Sequence, residues 1–309
     1  MIDLIQLKEK LLEQYEGDAI VYLSRGIGDK LMYLSQLDNY RQLMDCNVTL
    51  LSRAGKSADL VNFFPSLRGR HVPLDEYFYQ GYTEQDVIRV LNDRRPGVNR
   101  IFDTWYLGHA DVELIQAWLR INSKACNQFN LAKHQLNLPT GMAAELIEID
   151  ETRELSLKRT NSQYVVLAPL ANSAKNIIEI EFWCALAKAL MAQGYQCFVN
   201  SFPVPNNSFA WDAFENMGCE LFSGDFNALL QLCLGAKHTY MIRSGLADLL
   251  SLAQGMQYSV FYPPEFMHLN QFLTLDHGFG SAPTTEEFFF QTVVENPERV
   301  IEEILNKTL

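Results

Sequence analysis

The feature that most constrains the fold is an alternation of apolar runs and amphipathic segments in the second half of the chain. The run YVVLAPL, residues 164–170, is apolar throughout, as expected of a strand buried on both faces of a parallel sheet. The next segment repeats apolar residues at helical spacing, which predicts one buried helix face. That face consists of Trp183, Leu186, Ala187, Leu190 and Met191. Similar pairs follow at intervals of roughly 20–30 residues, which predicts βαβ units.

The first half opens in the same way. The apolar run Ala19–Ser24 predicts a strand, the glycine-containing segment Arg25–Lys30 a turn, and Lys30–Met44 a helix, before a second strand at Asn47–Leu51. The pattern weakens between Asn137 and Asn161, where a domain boundary is expected. The sequence therefore predicts an α/β protein of two Rossmann-like domains with parallel sheets, residues 1–150 and 151–309.

Composition and charge exclude several classes of function. The 309 residues carry a net charge of −12, which argues against a nucleic-acid partner. There is no apolar run of membrane-spanning length, and the first residues lack the pattern of a signal peptide, so we expect a cytoplasmic protein. The six histidines show no metal-ligand spacing, and we expect neither a metal site nor a cofactor.

The first candidate site is the turn after the first strand. Arg25, Gly26 and Gly28 lie where a strand of an open α/β sheet meets a helix, which is where such sheets bind ligands. Asp29 follows and is a candidate carboxylate base in a cleft between the domains. Alternatively, Asp29 only stabilises the first helical turn through the helix dipole.

The second candidate site follows the strand at residues 164–170. Asn172 and Ser173 are hydrogen-bonding groups at the strand end, and Lys175 could neutralise a phosphate leaving group. Alternatively, Lys175 is an ordinary surface lysine of the loop.

The third candidate site lies between another apolar run and a helix. The backbone amides of Ser244, Gly245 and Leu246 would face an anion, and Arg243 adds a guanidinium suited to a diphosphate. Alternatively, Ser244 is a helix N-cap and Arg243 pairs with Asp248.

With these three turns, the chain resembles the heptosyltransferase family of bacterial lipopolysaccharide assembly. The resemblance is carried by the Gly28-Asp29 turn, by VVLAPLANSAK, and by RSGLADLLSLAQG. It implies a GT-B fold, with an acceptor-side N-terminal domain and a donor-side C-terminal domain facing each other across a cleft. It also implies Asp29 as general base, Lys175 as the phosphate-facing lysine, and a diphosphate site at Ser244, Gly245 and Leu246. Together with Asn172, Ser173, Arg243 and Asp248, these residues form the predicted donor site.

Three places depart from the family pattern. The final strand runs into Phe261-Tyr262-Pro263-Pro264, where the family has a Phe-Gly-Pro-like turn. The family has Asp before its Ser/Thr-Gly pair, where this chain has Arg243, and His three residues after the Gly, where this chain has Asp248. These differences indicate a divergent transferase with another nucleotide sugar as donor.

The resemblance implies metal-independent transfer to a hydroxyl group of a glycan, a lipid-linked acceptor or a protein, as in the synthesis of cell-surface polysaccharides. A lipid-linked acceptor would bring the protein into peripheral contact with a membrane. The alternatives are a nucleotide-sugar epimerase or hydrolase of the same fold, and a catalytically degenerate module that serves as a partner subunit.

Overall fold

The described residues form two compact units, each built on one parallel sheet. The first unit contains the residues up to Glu148, and the second contains those from Ile149 onward. The computed structural model describes residues 4–23, 26–52, 57–74, 83, 101–103, 132–133, 136–139, 141–149, 163–171, 178–201, 210–253, 255–262 and 285–308.

The N-terminal unit has a four-stranded sheet in the order β3-β2-β1-β4, with every pair of neighbours parallel. Its elements are α1 (Leu4–Gln14), β1 (Ala19–Tyr22), α2 (Ile27–Met44), β2 (Val48–Ser52), α3 (Ala58–Asn62), a 3₁₀ turn (Pro65–Leu67), β3 (His71–Pro73) and β4 (Ile101–Asp103). The central strand β1 is fully buried, which explains its unbroken apolar sequence.

Helix α2 is enclosed on all sides in its middle part, from Leu31 to Leu37. Two polar residues within it are still satisfied locally, because Ser35 donates to the carbonyl of Met32 at 3.1 Å and Gln36 donates to Ser35. The backbone N–H of Glu145 donates to the carbonyl of Ser35 at 2.8 Å. The last described segment of this unit, residues 141–148, therefore contacts α2.

The C-terminal unit has a six-stranded sheet in the order β10-β9-β8-β5-β6-β7, again with parallel neighbours. Its elements are β5 (Tyr164–Ala168), α4 (Ile180–Ala192), β6 (Gln196–Asn200), α5 (Asp212–Asn216), β7 (Glu220–Phe222), α6 (Phe226–Leu234), β8 (His238–Ile242), α7 (Gly245–Ser251), β9 (Tyr258–Tyr262), β10 (Thr285–Phe289), α8 (Phe290–Glu295) and α9 (Pro297–Thr308).

Helices cover both faces of this sheet. On one face, α4 and α9 pack into a single apolar core, in which the ring of Trp183 lies 5.1 Å from that of Phe261. On the other face, the hydroxyl of Tyr164 donates to the carbonyl of Leu232 in α6 at 2.8 Å. Neighbouring residues of a strand point to opposite faces, so Val165 packs into the core under α4 and α9, and Tyr164 lies on the face that α6 covers.

The predicted fold class is confirmed: the chain is α/β, with two parallel sheets. Of the predicted helix face, Trp183, Leu186, Ala187 and Leu190 are buried, and Met191 packs against the core. The prediction ended the C-terminal sheet at β9, and this was wrong, because β10 adds a sixth strand and α8 and α9 follow it. No helix in the described part of the chain has the length and apolar character that a membrane span requires.

Candidate active site

The C-terminal sheet reverses its strand order between β5 and β8. Counted along the chain, its strands have the order 3-2-1-4-5-6, with β5 as the first and β8 as the fourth. Ligands of such sheets bind outside the carboxyl ends of the strands at the reversal. Ala168, at the end of β5, pairs with Met241 near the end of β8. The second and third predicted sites therefore leave the sheet from adjacent strands.

The segment after β5 is described as far as Ala171. Pro169 and Leu170 continue from the strand, and Leu170 packs against the core that α4 covers. The predicted donor residues Asn172, Ser173 and Lys175 lie outside the described residues, so their role stays a prediction.

The segment after β8 forms a capped turn. Ser244 is the N-cap of α7, and its hydroxyl oxygen accepts a hydrogen bond from the backbone N–H of Leu246 at 3.3 Å. The helix begins at Gly245, and the residues from Leu246 to Ser251 are all buried. The predicted N-cap is confirmed, while binding of a donor by Ser244, Gly245 and Leu246 stays a prediction.

Arg243 and Asp248 face each other across this turn. Nη2 of Arg243 lies 2.7 Å from Oδ1 of Asp248, and Nη1 lies 2.9 Å from Oδ2. This is the contact that the alternative interpretation of the sequence expected. Burial favours a lower pKa for Arg243, but the carboxylate of Asp248, with Tyr262 and Glu287 close by, more than offsets it and raises the pKa.

Tyr262 and Glu287 extend this polar group along the sheet. The Tyr262 hydroxyl donates to Oε1 of Glu287 at 2.5 Å. Val260 pairs with Glu287, and residues two apart on a strand share a face, so both side chains lie on one face of the sheet. Sequence reasoning missed this pair, because β10 was not predicted.

The N-terminal sheet also reverses its order at the predicted turn. Its strands run 3-2-1-4 in chain order, so the reversal lies between β1 and β4, and α2 begins just after β1. Gly26 is the extended N-cap of α2, and the helix starts at Ile27. Gly28 and Asp29 thus belong to the first helical turn, whereas the sequence predicted a turn as far as Lys30. Packing around α2 outweighs the low helix propensity of Gly28.

Arg25, the first residue of this predicted cleft turn, lies outside the described residues. The role of Asp29 as a base and its place in a cleft between the domains stay predictions.

Lys30 is a buried cation next to Asp29 that the sequence did not single out. It is 7% exposed, and its Nζ donates to the hydroxyl of Ser57 at 3.0 Å. The bond joins the first part of α2 to the segment that precedes α3. Nothing in the local sequence shows this, because the two residues are 27 positions apart.

Within the described residues, no three His, Cys, Asp or Glu side chains come together as a metal site.

Several solved structures share the fold of this chain. E. coli ADP-heptose lipopolysaccharide heptosyltransferase II superposes with a TM-score of 0.61 at 14% identity, covering 94% of this chain and 98% of that one. The GT-B fold predicted from the resemblance is confirmed.

Two further structures agree. A glycosyl transferase family 9 protein from Veillonella parvula has a TM-score of 0.59 at 12% identity, covering 92% of this chain and 89% of that one. E. coli heptosyltransferase WaaC, solved with ADP, has a TM-score of 0.51 at 11% identity, covering 94% and 99%. No protein-family model matches the sequence, and no curated protein matches it. At these identities the likeness concerns the fold.

Proposed function

We propose that the protein is a metal-independent glycosyltransferase that moves a sugar from a nucleotide sugar to a hydroxyl of a glycan, lipid-linked or protein acceptor. The observation that supports this proposal is the position of two of the predicted turns relative to the strand order of the sheets. The β1–α2 turn and the β8–α7 turn each begin at the strand-order reversal of their own sheet. These are the binding positions of open α/β sheets, and the fold is shared with known glycosyltransferases.

In the proposed reaction, Asp29 accepts the proton of the acceptor hydroxyl. The oxygen then forms a bond to the anomeric carbon, while the bond from that carbon to the diphosphate oxygen breaks. The nucleoside diphosphate leaves with the bonding electrons. Lys175 and the backbone amides after Ser244 stabilise its charge, which is the task that a metal ion has in other transferases.

We place the reaction in the cytoplasm, as expected from the sequence analysis. ADP is one candidate for the nucleotide, because two of the similar structures are a transferase named for ADP-heptose and a transferase with ADP. The departures at Arg243 and Asp248 favour a sugar other than heptose.

A thermal-shift panel of ADP, UDP, GDP, CDP and dTDP tests the proposal. A ligand that binds only the folded protein at a concentration of about 100 Kd stabilises it by about 2.7 kcal/mol, which gives a readily measured rise in Tm. We expect one nucleotide of the panel to raise the Tm, and its nucleoside to raise it less. No shift with any of the five would overturn the proposal.

The second candidate is a degenerate GT-B module that serves as a partner subunit. The ion pair of Arg243 and Asp248 favours it, because two residues of the donor motif bind each other in the interior. This candidate predicts no nucleotide binding. A nucleotide-sugar epimerase or hydrolase would instead convert the donor stoichiometrically without any acceptor.

A further inference from the structure

We propose that Arg243 and Asp248 are positioning residues of the donor site: their ion pair fixes the turn between β8 and α7, and neither side chain binds the donor. The inference rests on the proposed function, since it concerns the site which that function gives to the nucleotide sugar. It differs from the sequence prediction, which made both residues donor ligands.

The guanidinium group of Arg243 is engaged inside the protein. Its two terminal nitrogens reach the two carboxylate oxygens of Asp248 at 2.7 and 2.9 Å. Nη1 also donates to the backbone carbonyl of Ser244 at 2.8 Å. Of the two contacts with Asp248, the one from Nη1 to Oδ2 is a hydrogen bond, and the one from Nη2 to Oδ1 is an ion-pair contact. A planar guanidinium reaches both carboxylate oxygens at once, which the single ammonium group of a lysine could not do.

Both members of the pair are withdrawn from solvent. Arg243 is 5% exposed and Asp248 is 2% exposed. A diphosphate that bound Arg243 would have to compete with Asp248, and would leave that carboxylate buried without its counter-charge. Loss of one partner from a buried ion pair is strongly unfavourable. The arrangement therefore opposes a direct contact between Arg243 and the donor.

The bond from Arg243 to the Ser244 carbonyl sets the direction of a backbone group. The carbonyl of Ser244 also accepts from the N–H of Ala247 at 3.0 Å, as the first bond of α7. A trans peptide is planar, and its C=O and N–H point in opposite directions. By holding the carbonyl of Ser244, Arg243 aims the N–H of Gly245 away from the guanidinium.

Asp248 is fixed from its other side as well. Its backbone carbonyl accepts from the hydroxyl of Ser251 at 2.6 Å, and the helix around it is buried from Leu246 to Ser251. The pair thus connects the end of β8 to a rigid helical turn. Because the pair is neutral as a whole, its contribution to donor binding is geometric and does not depend on salt.

Two predictions separate this role from that of a ligand. Asp248→Asn keeps the shape of the side chain but releases the charge of Arg243, so a ligand role predicts tighter binding of a nucleoside diphosphate and a positioning role predicts weaker binding. The double variant Arg243→Met/Asp248→Leu removes both charges with little change in volume, and such replacements commonly keep the fold. If Arg243 binds the donor, this double variant weakens the salt dependence of nucleotide binding. If the pair only positions the turn, the salt dependence stays the same.

The experiment measures the affinity of each variant for ADP, UDP, GDP, CDP and dTDP and for the matching nucleosides, at low and high salt. We expect both variants to bind the nucleotide that the wild-type protein prefers at least about tenfold more weakly than the wild type does. The salt dependence of binding and the affinity for the nucleoside should not change. The matched control is Arg68→Met/Glu148→Leu, which removes an exposed ion pair of the N-terminal unit and should change no affinity.

Tighter binding by Asp248→Asn, or a weaker salt dependence in the double variant, would overturn the inference in favour of a ligand role. Wild-type affinity in the folded double variant would overturn it in favour of stability alone. Failure of the wild-type protein to bind any of the five nucleotides would overturn the proposed function, and is visible without any variant.

A measurement on the wild-type protein covers the case in which the variants do not fold. Phenylglyoxal modifies accessible arginines, and peptide mass spectrometry locates them. We expect Arg243 to stay unmodified with or without the nucleotide. Modification of Arg243 that the nucleotide prevents would contradict the inference.

Discussion

Nε2 of His238 lies 2.8 Å from the hydroxyl oxygen of Ser259, and this contact joins the amino ends of β8 and β9. The hydroxyl of Ser259 is 3.4 Å from the carboxylate of Glu286 on β10, which lies 3.2 Å from Nζ of Lys307 in α9. A row of polar side chains thus crosses the edge of the sheet that is opposite the candidate site. It connects the last helix to the strands.

The first prediction is that His238 makes the stability of the protein depend on pH. Burial, and then the charge of Lys237, lower the pKa of His238 from 6.5 to about 4. Between these two values the unfolded chain binds a proton that the folded chain does not bind, so acid favours unfolding. We expect the contribution of His238 to be complete above about pH 6.5, and to fall by roughly 1–3 kcal/mol on acidification to about pH 4. Urea unfolding at a series of pH values measures it.

The matched control is His238→Gln, which keeps a polar group near Ser259 but cannot titrate in this range. Its free energy of unfolding should fall less than that of the wild type over the same pH interval. Parallel curves for the two proteins would show that another group causes the acid sensitivity.

The proposed base gives a second prediction. Asp29→Asn keeps the size of the side chain and removes its ability to accept a proton, so we expect the transfer rate to fall by about 100-fold or more while nucleotide affinity is unchanged. Asp38→Asn is the control, because Asp38 lies on the same helix and bonds to Arg41 and Gln42. Steady-state kinetics with the nucleotide sugar measures both variants. Wild-type turnover in Asp29→Asn would rule out Asp29 as the base.

The proposed phosphate-facing cation gives a third prediction. A charge-assisted hydrogen bond contributes about 1.5–3 kcal/mol, so Lys175→Met should weaken nucleoside diphosphate binding by about 10- to 100-fold. Nucleoside binding should not change. Lys188→Met is the control, since Lys188 is an exposed lysine of α4. Equal affinities of the two variants for the nucleoside diphosphate would contradict the assignment.

Local signals in the sequence predicted the central part of the fold. The unbroken apolar run of β5 and the helical spacing of α4 each lie within one short segment, and so does the N-cap of α7. Asp225 accepts from the N–H of Ala228 at 2.8 Å, as its place before an apolar helix indicates. Such features depend on neighbours in sequence, so they can be inferred without knowing the partner.

Contacts between distant residues could not be predicted in this way. Thr285–Phe289 has the sequence TEEFF, in which two adjacent glutamates interrupt the apolar pattern that would predict a strand. It forms an edge strand because it pairs with β9, and that pairing depends on the whole sheet. The bond of Tyr262 to Glu287 follows from that pairing and was missed with it. For Arg243 the sequence left two partners open, a phosphate and Asp248, because burial decides between them and burial is a property of the packed structure.

The last helix was not predicted either, and it gives the fourth prediction. Val300 is 1% exposed within the core that α9 shares with α4, whereas Val294 on α8 is 54% exposed. Removing the same two methyl groups should therefore cost about 1–3 kcal/mol of unfolding free energy in Val300→Ala, and less than about 0.5 kcal/mol in Val294→Ala. Urea unfolding of the two variants measures the difference. Equal effects would show that α9 does not contribute to the core, whereas the expected difference would make it an integral layer of the C-terminal unit.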